Sequence, residues 1–239
     1  MSPQRFRRTP NRLLQALPVT IVERLWPELQ PVELPRRQIL HAANKPIRHL
    51  YFIESGLVSS VKTMHDGRMI EVNAVGVEGV AGATAILGVD TSVLDSIVHV
   101  PGWGRRIGWE SFRGAMRTST SLHDLMLRYA HLTIGQLAQA AACNRLHSME
   151  QRCCRWLLIA HDSAQSDSVP ITHEFLAMML GVQRTGVSLT ANELQRAGLI
   201  RCGRGHVTIV DRRGLEAMAC ECYSAVRSDF DGLFARATK

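Results

Sequence analysis

The stretch from Ile171 to Val210 reads ITHEFLAMMLGVQRTGVSLTANELQRAGLIRCGRGHVTIV, and it decides the fold of the C-terminal part of the chain. Thr172 is placed to cap a short helix whose apolar residues recur at helical spacing. Gly181 then supplies a tight turn, because glycine adopts left-handed backbone angles without steric cost. A second helix is predicted from about Gln183 to Arg196. This pattern is typical of a helix-turn-helix whose second helix enters the major groove of DNA.

The residues that follow predict a β-hairpin, or wing. Two short β-prone runs, 199–201 and 206–210, flank Cys202-Gly203-Arg204-Gly205, which carries two glycines. Residues 182–213 contain six arginines and two acidic residues, an excess of four positive charges that would face DNA phosphates. Double-stranded DNA is therefore the predicted partner. The expected DNA-binding residues lie in the helix cap, the second helix and the wing: Thr172, Gln183, Arg184, Thr185, Ser188, Arg201, Arg204 and His206.

Length, net charge and composition limit the classes of protein to which the chain can belong. The 239 residues have room for two modest domains, and the net charge of +7 favours a polyanionic partner. Aromatic residues make up only 5%, which argues against a single-strand binder that stacks bases on aromatic side chains. There is no apolar run of transmembrane length and no signal-peptide core. We therefore expect a cytoplasmic protein with no membrane partner.

The six cysteines do not form a recognised metal-binding pattern. None belongs to a CxxC pair, and Cys220-Glu221-Cys222 has no second pair at zinc-site spacing. We expect reduced thiols, buried as small apolar residues, and no metal site.

The N-terminal half has the texture of an antiparallel β-structure. From Val32 to about Arg113, short β-prone runs alternate with turn residues, and the Asp-Gly pair in His65-Asp66-Gly67-Arg68 is a strong hairpin signal. The predicted strands are Gln38–Leu40, Leu50–Ile53, Leu57–Met64, Met69–Val75, Ser96–Pro101 and Gly104–Ile107. The predicted fold class is α+β, with an antiparallel β-roll (a jelly-roll-like double-stranded β-helix), a long dimerisation helix and a winged helix-turn-helix.

A long helix is predicted after the β-roll, with Ser121 as its cap and Asp124 in its first turn. Two apolar stripes run along it, so we expect one to cover the β-roll and the other to pair with a second copy of the chain. Burial of the helix between two domains is the alternative. The predicted dimer interface consists of Leu122, Leu125, Tyr129 and Leu132.

The remaining boundaries follow from turn and cap signals. Residues 143–147 look like a hinge, and Ser148-Met-Glu-Gln151 is a capping box that starts another helix. The predicted domains are residues 12–118 for the β-roll, 119–142 for the dimerisation helix and 143–239 for the DNA-binding domain.

This order of elements resembles the Crp/Fnr family of bacterial transcription regulators, over roughly Leu13 to Val210. Tyr51-Phe-Ile-Glu-Ser-Gly-Leu-Val58 is similar to the family's strand-turn-strand motif, and Gly181-Val-Gln-Arg-Thr-Gly-Val187 to its entry into the recognition helix. Leu194-Gln-Arg-Ala-Gly-Leu-Ile200 resembles the link into the wing. The resemblance implies a homodimer that binds a palindromic operator and contacts RNA polymerase.

The resemblance also places an effector pocket, at Gly76, Glu78, Gly79, Thr91 and Ser92. Cyclic-nucleotide-binding members hold the phosphate with an Arg-Ser or Arg-Thr pair, whereas this chain reads Gly88-Val-Asp-Thr-Ser92 there. Without the arginine a cyclic phosphate lacks its counter-charge, so cyclic AMP binding is not expected. An iron–sulfur cluster of the family's type needs N-terminal cysteines, and the first cysteine here is Cys143. No cofactor is predicted, and the effector stays open.

The function predicted is thus that of a regulator and not of an enzyme. A metal-dependent cupin-like enzyme is one alternative, although the histidines of the β-roll form no His-x-His pair of the kind that such a site uses. A haem sensor is another alternative, because four histidines lie in the β-roll. These histidines are His41, His49, His65 and His99. A third alternative is an interaction module whose winged helix does not meet DNA.

Overall fold

The computed structural model describes residues 9–164 and 166–237, and within them the chain forms a β-roll, a long helix and a winged helix-turn-helix domain. Two short helices, α1 (Arg12–Ala16) and α2 (Val19–Leu25), and a 3-10 turn (Trp26–Glu28) precede the β-roll. None of the described helices combines the length and the apolar character that a membrane crossing requires.

The β-roll, described without gaps from residue 30 to 108, consists of two antiparallel sheets. One has the strand order β1-β8-β3-β6 and the other β2-β7-β4-β5. Alternate side chains of the two sheets meet in an apolar interior that includes Leu34, Ile53, Val58 and Val98. The strands are β1 (Gln30–Leu34), β2 (Ile39–His41), β3 (His49–Ile53), β4 (Leu57–Thr63), β5 (Met69–Val75), β6 (Val80–Ala81), β7 (Asp95–Val100) and β8 (Gly102–Gly108).

The predicted β4–β5 hairpin is confirmed. The backbone N–H of Met64 donates to the carbonyl of Arg68 at 2.8 Å, and Gly67 has a φ of +83° that favours glycine. Asp66 accepts from the backbone N–H of Arg68 at 3.0 Å, which fixes the turn. Two strands, β1 and β6, were not predicted. Pro31 lies in the first, and the second is only two residues long, so neither carries a clear alternating pattern.

A helical segment joins the two halves of the molecule. Helix α3 (Trp109–Arg117) leads into α4 (Thr120–Leu146), which extends four residues beyond its predicted end at Ala142. Its cap is Ser119 and not Ser121, because the Ser119 side chain accepts from the backbone N–H of Leu122 at 3.3 Å. The capping box that starts α5 (Met149–Ala164) is confirmed by reciprocal bonds between Ser148 and Gln151, at 3.0 and 3.2 Å.

The C-terminal part contains the predicted winged helix-turn-helix and then returns to the β-roll. The last helix, α9, packs on α4 and places Phe230, Leu233 and Phe234 in the N-terminal core. Two helices follow the wing, separated near Cys220. The elements are β9 (Ser168–Val169), α6 (His173–Leu180), α7 (Arg184–Arg196), β10 (Ile200–Gly203), β11 (His206–Ile209), α8 (Arg212–Met218) and α9 (Cys222–Ala237).

Asn11 joins the N-terminal helices to the β-roll. It is fully buried, and its side-chain amide donates to the carbonyls of Ile53 and Gly79, each at 2.8 Å. Its side-chain oxygen also accepts from the backbone N–H of Leu14 at 3.1 Å and so caps α1. One side chain therefore satisfies three backbone groups that water cannot reach.

We predict that Asn11→Ala lowers the free energy of unfolding by about 2–4 kcal/mol, because two buried carbonyls and a helix cap lose their partner. Urea unfolding followed by circular dichroism measures the change. Thr20→Ala on the exposed side of α2 is the control and should change stability by less than about 0.5 kcal/mol. Equal, small losses in both variants would contradict this account of Asn11.

Candidate nucleic-acid interface and sensor cavities

The helix-turn-helix is held in shape by caps that the sequence predicted. The Thr172 side chain accepts from the backbone N–H of Phe175 at 3.2 Å, and Gly181 ends α6 with a φ of +66°. Buried Arg152 donates to the carbonyl of Leu180, which gives the end of α6 a charged partner. These contacts fix the angle at which α7 leaves the turn.

Helix α7 separates a buried face from an exposed one. Val187, Ala191 and Leu194 are buried in the core of the domain, whereas Arg184 and Thr185 are exposed, as is Gln183 just before the helix. An exposed face that begins with arginine at the first turn is what a helix needs to reach base edges.

Two details of α7 differ from the prediction. Ser188 does not share the exposed face: it is half-buried, and its hydroxyl lies 3.2 Å from Nδ1 of His173 on α6. Leu189, which the sequence did not single out, is 65% exposed on the outer face instead. An exposed leucine beside arginine and threonine suits apolar contact with a thymine methyl group. Only polar side chains were considered as base contacts in the sequence, so this leucine was missed.

The wing is a tight hairpin with its charges outward. Gly203 pairs with His206, so the turn consists of Arg204 and Gly205, whose φ is +80°. Any side chain at position 203 would collide with the His206 ring, because a Cβ there would lie 2.1 Å from it. Arg201, Arg204 and His206 are all exposed.

A groove of about 320 Å³ lies between the helix-turn-helix and the wing. It brings together three predicted DNA-binding residues from three elements, namely Thr172, Arg184 and His206. Arg201 and Arg204 flank it on the wing. One predicted charge is used elsewhere: Arg212 forms ion pairs with Asp162 and Glu216, at 2.8 and 2.9 Å, and so belongs to the packing of α8.

The DNA-binding domain is docked against the β-roll through aromatic and apolar contacts. The His99 ring on β7 lies 3.9 Å from the Phe175 ring on α6 and 4.9 Å from Trp156, measured between ring centroids. On β5, Ile70 covers the turn, since a Cβ on Gly181 would lie 2.7 Å from its side chain. The helix-turn-helix thus rests directly on the β-roll.

His99 is an unusual group for such an interface. It is 2% exposed, and neither ring nitrogen has a hydrogen-bond partner among the described residues. Burial disfavours the charged imidazolium and lowers the pKa of His99 to about 3, aided by the positive charge of Arg36. The ring is therefore a neutral aromatic surface at physiological pH.

The five residues predicted for the effector pocket do not all line one cavity. Ser92 lines a cavity of only about 40 Å³ inside the β-roll beside α4. Thr91 does not line this cavity and forms an isolated β-bridge with Pro46. Glu78 lines a different cavity, and neither Gly76 nor Gly79 lines either one. The residues that line these two cavities thus include only Ser92 and Glu78 of the five, and the shared pocket stays a prediction.

Tyr129 accounts for the small size of the inner cavity. It is 1% exposed, and its hydroxyl oxygen accepts from the backbone N–H of Val80 at 3.1 Å. A Cβ added to Gly79 would lie 2.2 Å from that oxygen. Burial raises the pKa of Tyr129 well above its ordinary value, so the phenol is neutral. The side chain fills the space that faces the loop of Gly79.

A larger cavity of about 340 Å³ lies between β5, α4, α5 and α9. Its walls carry opposite charges that already pair with one another, including Arg12 with Asp231 at 2.8 Å. Tyr223 donates to Asp162 at 2.8 Å and accepts from Arg227 at 2.8 Å. Burial raises the pKa of Glu78, which accepts from the backbone N–H of Gly76 at 2.7 Å. Both domains contribute to this cavity.

The predicted dimer interface faces inward. Leu122, Leu125 and Tyr129 are 0, 5 and 1% exposed, in a core shared with the N-terminal helices and α9, and Leu132 packs against the same core. This prediction is wrong because helical spacing alone does not show which stripe the chain covers itself. The outer face of α4 instead carries exposed residues at alternating spacings of four and three: Leu127, His131, Ile134, Ala138 and Ala141.

The comparisons with known proteins agree with this architecture. The family model of a cyclic nucleotide-binding domain matches residues 31–119, and that of a Crp-like helix-turn-helix domain matches residues 151–218. No curated protein sequence matches the chain significantly.

Solved structures share the fold at low sequence identity. A protein described as a Crp/Fnr-family transcriptional regulator from Eubacterium rectale is 19% identical, with a TM-score of 0.68 over 86% of this chain and 96% of that one. FixK2 from Bradyrhizobium japonicum is 13% identical, with a TM-score of 0.66 over 80% and 98%. The c-di-GMP-responsive global regulator CLP from Xanthomonas campestris is 18% identical, with a TM-score of 0.63 over 80% and 99%.

A domain of the cyclic nucleotide-binding type, a long helix and a Crp-like helix-turn-helix define a class of two-domain transcription regulators. The chain belongs to the Crp/Fnr family of these regulators.

We predict that His99→Phe reduces the acid sensitivity of stability. Unfolded histidine titrates near its ordinary pKa of 6.5, whereas folded His99 stays neutral to about pH 3, so between these values the unfolded chain binds the extra proton. Stability contributed by neutral His99 is therefore lost as the pH falls below 6.5. From pH 7 to pH 5 the wild type should lose about 2 kcal/mol more than the variant.

Urea unfolding of both proteins at the two pH values gives the comparison. The phenyl ring can occupy the same apolar site, since the imidazole nitrogens have no partner there. His65→Phe on the exposed hairpin is the control and should retain the wild-type pH dependence. Identical pH dependence in wild type and His99→Phe would contradict the assignment.

Proposed function

We propose that the chain is a homodimeric, sequence-specific DNA-binding transcription regulator that acts in the cytoplasm and has no catalytic activity. The groove formed by Thr172, Arg184 and His206, with Arg201 and Arg204 beside it, is the observation that carries this proposal. Arginine at the start of an exposed helix suits bidentate contact with guanine, and arginine on a wing suits phosphate.

The outer face of α4 supports a homodimer. Leu127 and Ile134 are 40% and 54% exposed, and the small residues Ala138 and Ala141 continue the same stripe at a 3.5-residue repeat. This repeat is the one that two helices use to pair along a common seam. A two-fold axis along α4 would present two recognition helices to a palindrome, with half-sites about 34 Å apart.

The signal is proposed to act at the larger cavity. Its walls come from the β-roll and from α5 and α9, so a polar ligand there would change how the DNA-binding domain sits against β5 and β7. Cyclic nucleotide binding inside the β-roll is disfavoured by the volume that Tyr129 fills and by the absence of arginine in residues 88–92. RNA polymerase is the expected partner of the bound dimer.

The cupin and haem alternatives find little support in the histidine positions. His41 and His49 both lie beside Tyr51, and Nε2 of His41 is 2.8 Å from the carbonyl of His49. His99 is packed among aromatic rings on β7, and His65 is exposed in the hairpin. The four residues do not surround one metal position.

We predict that the pair of substitutions Leu127→Glu and Ile134→Glu yields a monomer, because four carboxylates would face each other along the seam. Sedimentation velocity measures the change in mass, and circular dichroism checks the fold. Val89→Glu, at a 58% exposed loop position, is the control and should remain dimeric. A dimeric double variant would exclude this face of α4 as the interface.

We predict that Arg184→Ala and Arg204→Ala weaken DNA binding in different ways. Loss of Arg184 should cost about 1–3 kcal/mol per half-site and relax discrimination at one base pair. Loss of Arg204 should weaken specific and non-specific DNA alike and lower the salt slope by about one unit per wing.

Fluorescence anisotropy with operator and random duplexes over a salt series separates the two effects. Arg117→Ala, exposed on α3 away from the groove, is the matched control and should bind as the wild type does. If Arg184→Ala weakens every sequence equally and keeps the preferred motif, then Arg184 contacts phosphate and the proposed placement of α7 in the groove is wrong.

A further inference from the structure

Four metal-binding side chains meet where α4 ends and α9 begins. Cys143 and His147 are one helical turn apart at the end of α4, and Cys220 and Cys222 flank the start of α9. One ligand atom from each lies within 4.8 Å of the other three. No metal site was expected from the sequence, because the cysteines form no recognised pattern with their neighbours along the chain.

The distances between these atoms fit a single small ion. The sulfurs of Cys143 and Cys220 are 3.6 Å apart, and the sulfur of Cys222 is 3.5 Å from Nδ1 of His147. In tetrahedral coordination, Zn–S bonds of about 2.3 Å and Zn–N bonds of about 2.0 Å place ligand atoms about 3.8 Å and 3.5 Å apart. The ligands of an iron–sulfur cluster bind separate irons and so lie farther apart.

The surroundings also fit ligation better than apolar packing. The three thiols are 0–3% exposed and form a cluster of their own, separate from the hydrophobic cores. The side-chain amide of Gln139 donates to the sulfur of Cys222 at 2.9 Å. Nε2 of His147 lies 3.0 Å from a carboxylate oxygen of Glu221, the outer partner that ligating histidines commonly have. That contact leaves Nδ1 free to bind the ion.

A disulfide is a weaker account of the same cluster. It would join Cys143 to Cys220. It would not explain why a third thiol and an imidazole lie at the same place. Sulfur and imidazole together are the ligand set that Zn²⁺ prefers, and four protein ligands leave no open position for chemistry.

We propose that Cys143, His147, Cys220 and Cys222 bind one Zn²⁺ ion in a closed, four-coordinate structural site. The ion ties the end of the long helix and the hinge to the segment after the wing. Since α9 packs on α4 and on the N-terminal core, the site holds the DNA-binding domain in a fixed position relative to α4. The site does not include residues of the DNA groove. The zinc proposal can therefore be tested independently of the proposed function.

Metal analysis of the full-length, reduced protein is the first test. We expect about one Zn²⁺ per chain after reconstitution and gel filtration. Substitution by Co²⁺ should give the intense visible bands of a tetrahedral ion and a thiolate charge-transfer band, both abolished by added Zn²⁺. Failure of the reduced wild type to retain Zn²⁺, or isolation of a Cys143–Cys220 disulfide that reduction does not convert into a metal-binding form, would overturn the proposal.

Single substitutions test which side chains bind the ion. Cys222→Ala should lose the bound Zn²⁺, whereas Cys153→Ala, which removes a buried thiol outside the cluster, should keep it. Glu221 is exposed, so Glu221→Gln should fold normally and weaken Zn²⁺ binding by about 10-fold or more, measured by competition with a chromophoric chelator. Wild-type Zn²⁺ content in Cys222→Ala, or wild-type affinity in Glu221→Gln, would contradict the proposal.

Discussion

The packing of Tyr129 against the β-roll is the contact on which the orientation of α4 and the size of the inner cavity depend. Its hydroxyl bonds to the backbone of Val80 in the interior, while its ring lies 6.2 Å from that of Phe230 on α9, measured between centroids. This contact sets the rotation of α4 about its own axis. The inner stripe is consequently buried, the outer stripe with Leu127 and Ile134 is exposed, and the cavity inside the β-roll is almost filled.

The DNA-binding domain also contacts the β-roll directly. Phe175 and the turn at Gly181 rest on His99 and Ile70, so the β-roll contacts the helix before α7. The charged cavity is lined by β5, which carries Ile70, and by α5 and α9. The β-roll, the long helix and the helix-turn-helix therefore share one packed unit.

Local signals in the sequence predicted the elements well. The caps at Thr172 and Ser148, the turn at Gly181 and the hairpin at Asp66-Gly67 all depend on residues close in the chain, and all four are present. The face of α4 that stays exposed and the convergence of Cys143 with Cys220 depend on contacts between residues distant in sequence. Helical spacing shows that a stripe exists, but not what covers it. The half-burial of Ser188 has the same kind of cause, because its hydroxyl contacts His173 on α6.

The central claim is that two copies of this chain read a palindromic operator. Selection of bound sequences from a pool of random duplexes by the purified protein, followed by sequencing, tests it most directly. The account predicts two inverted half-sites with centres about 10 base pairs apart, each with a guanine that Arg184 can contact. Bound duplexes that share no motif, or that carry a single half-site without its inverted copy, would contradict it.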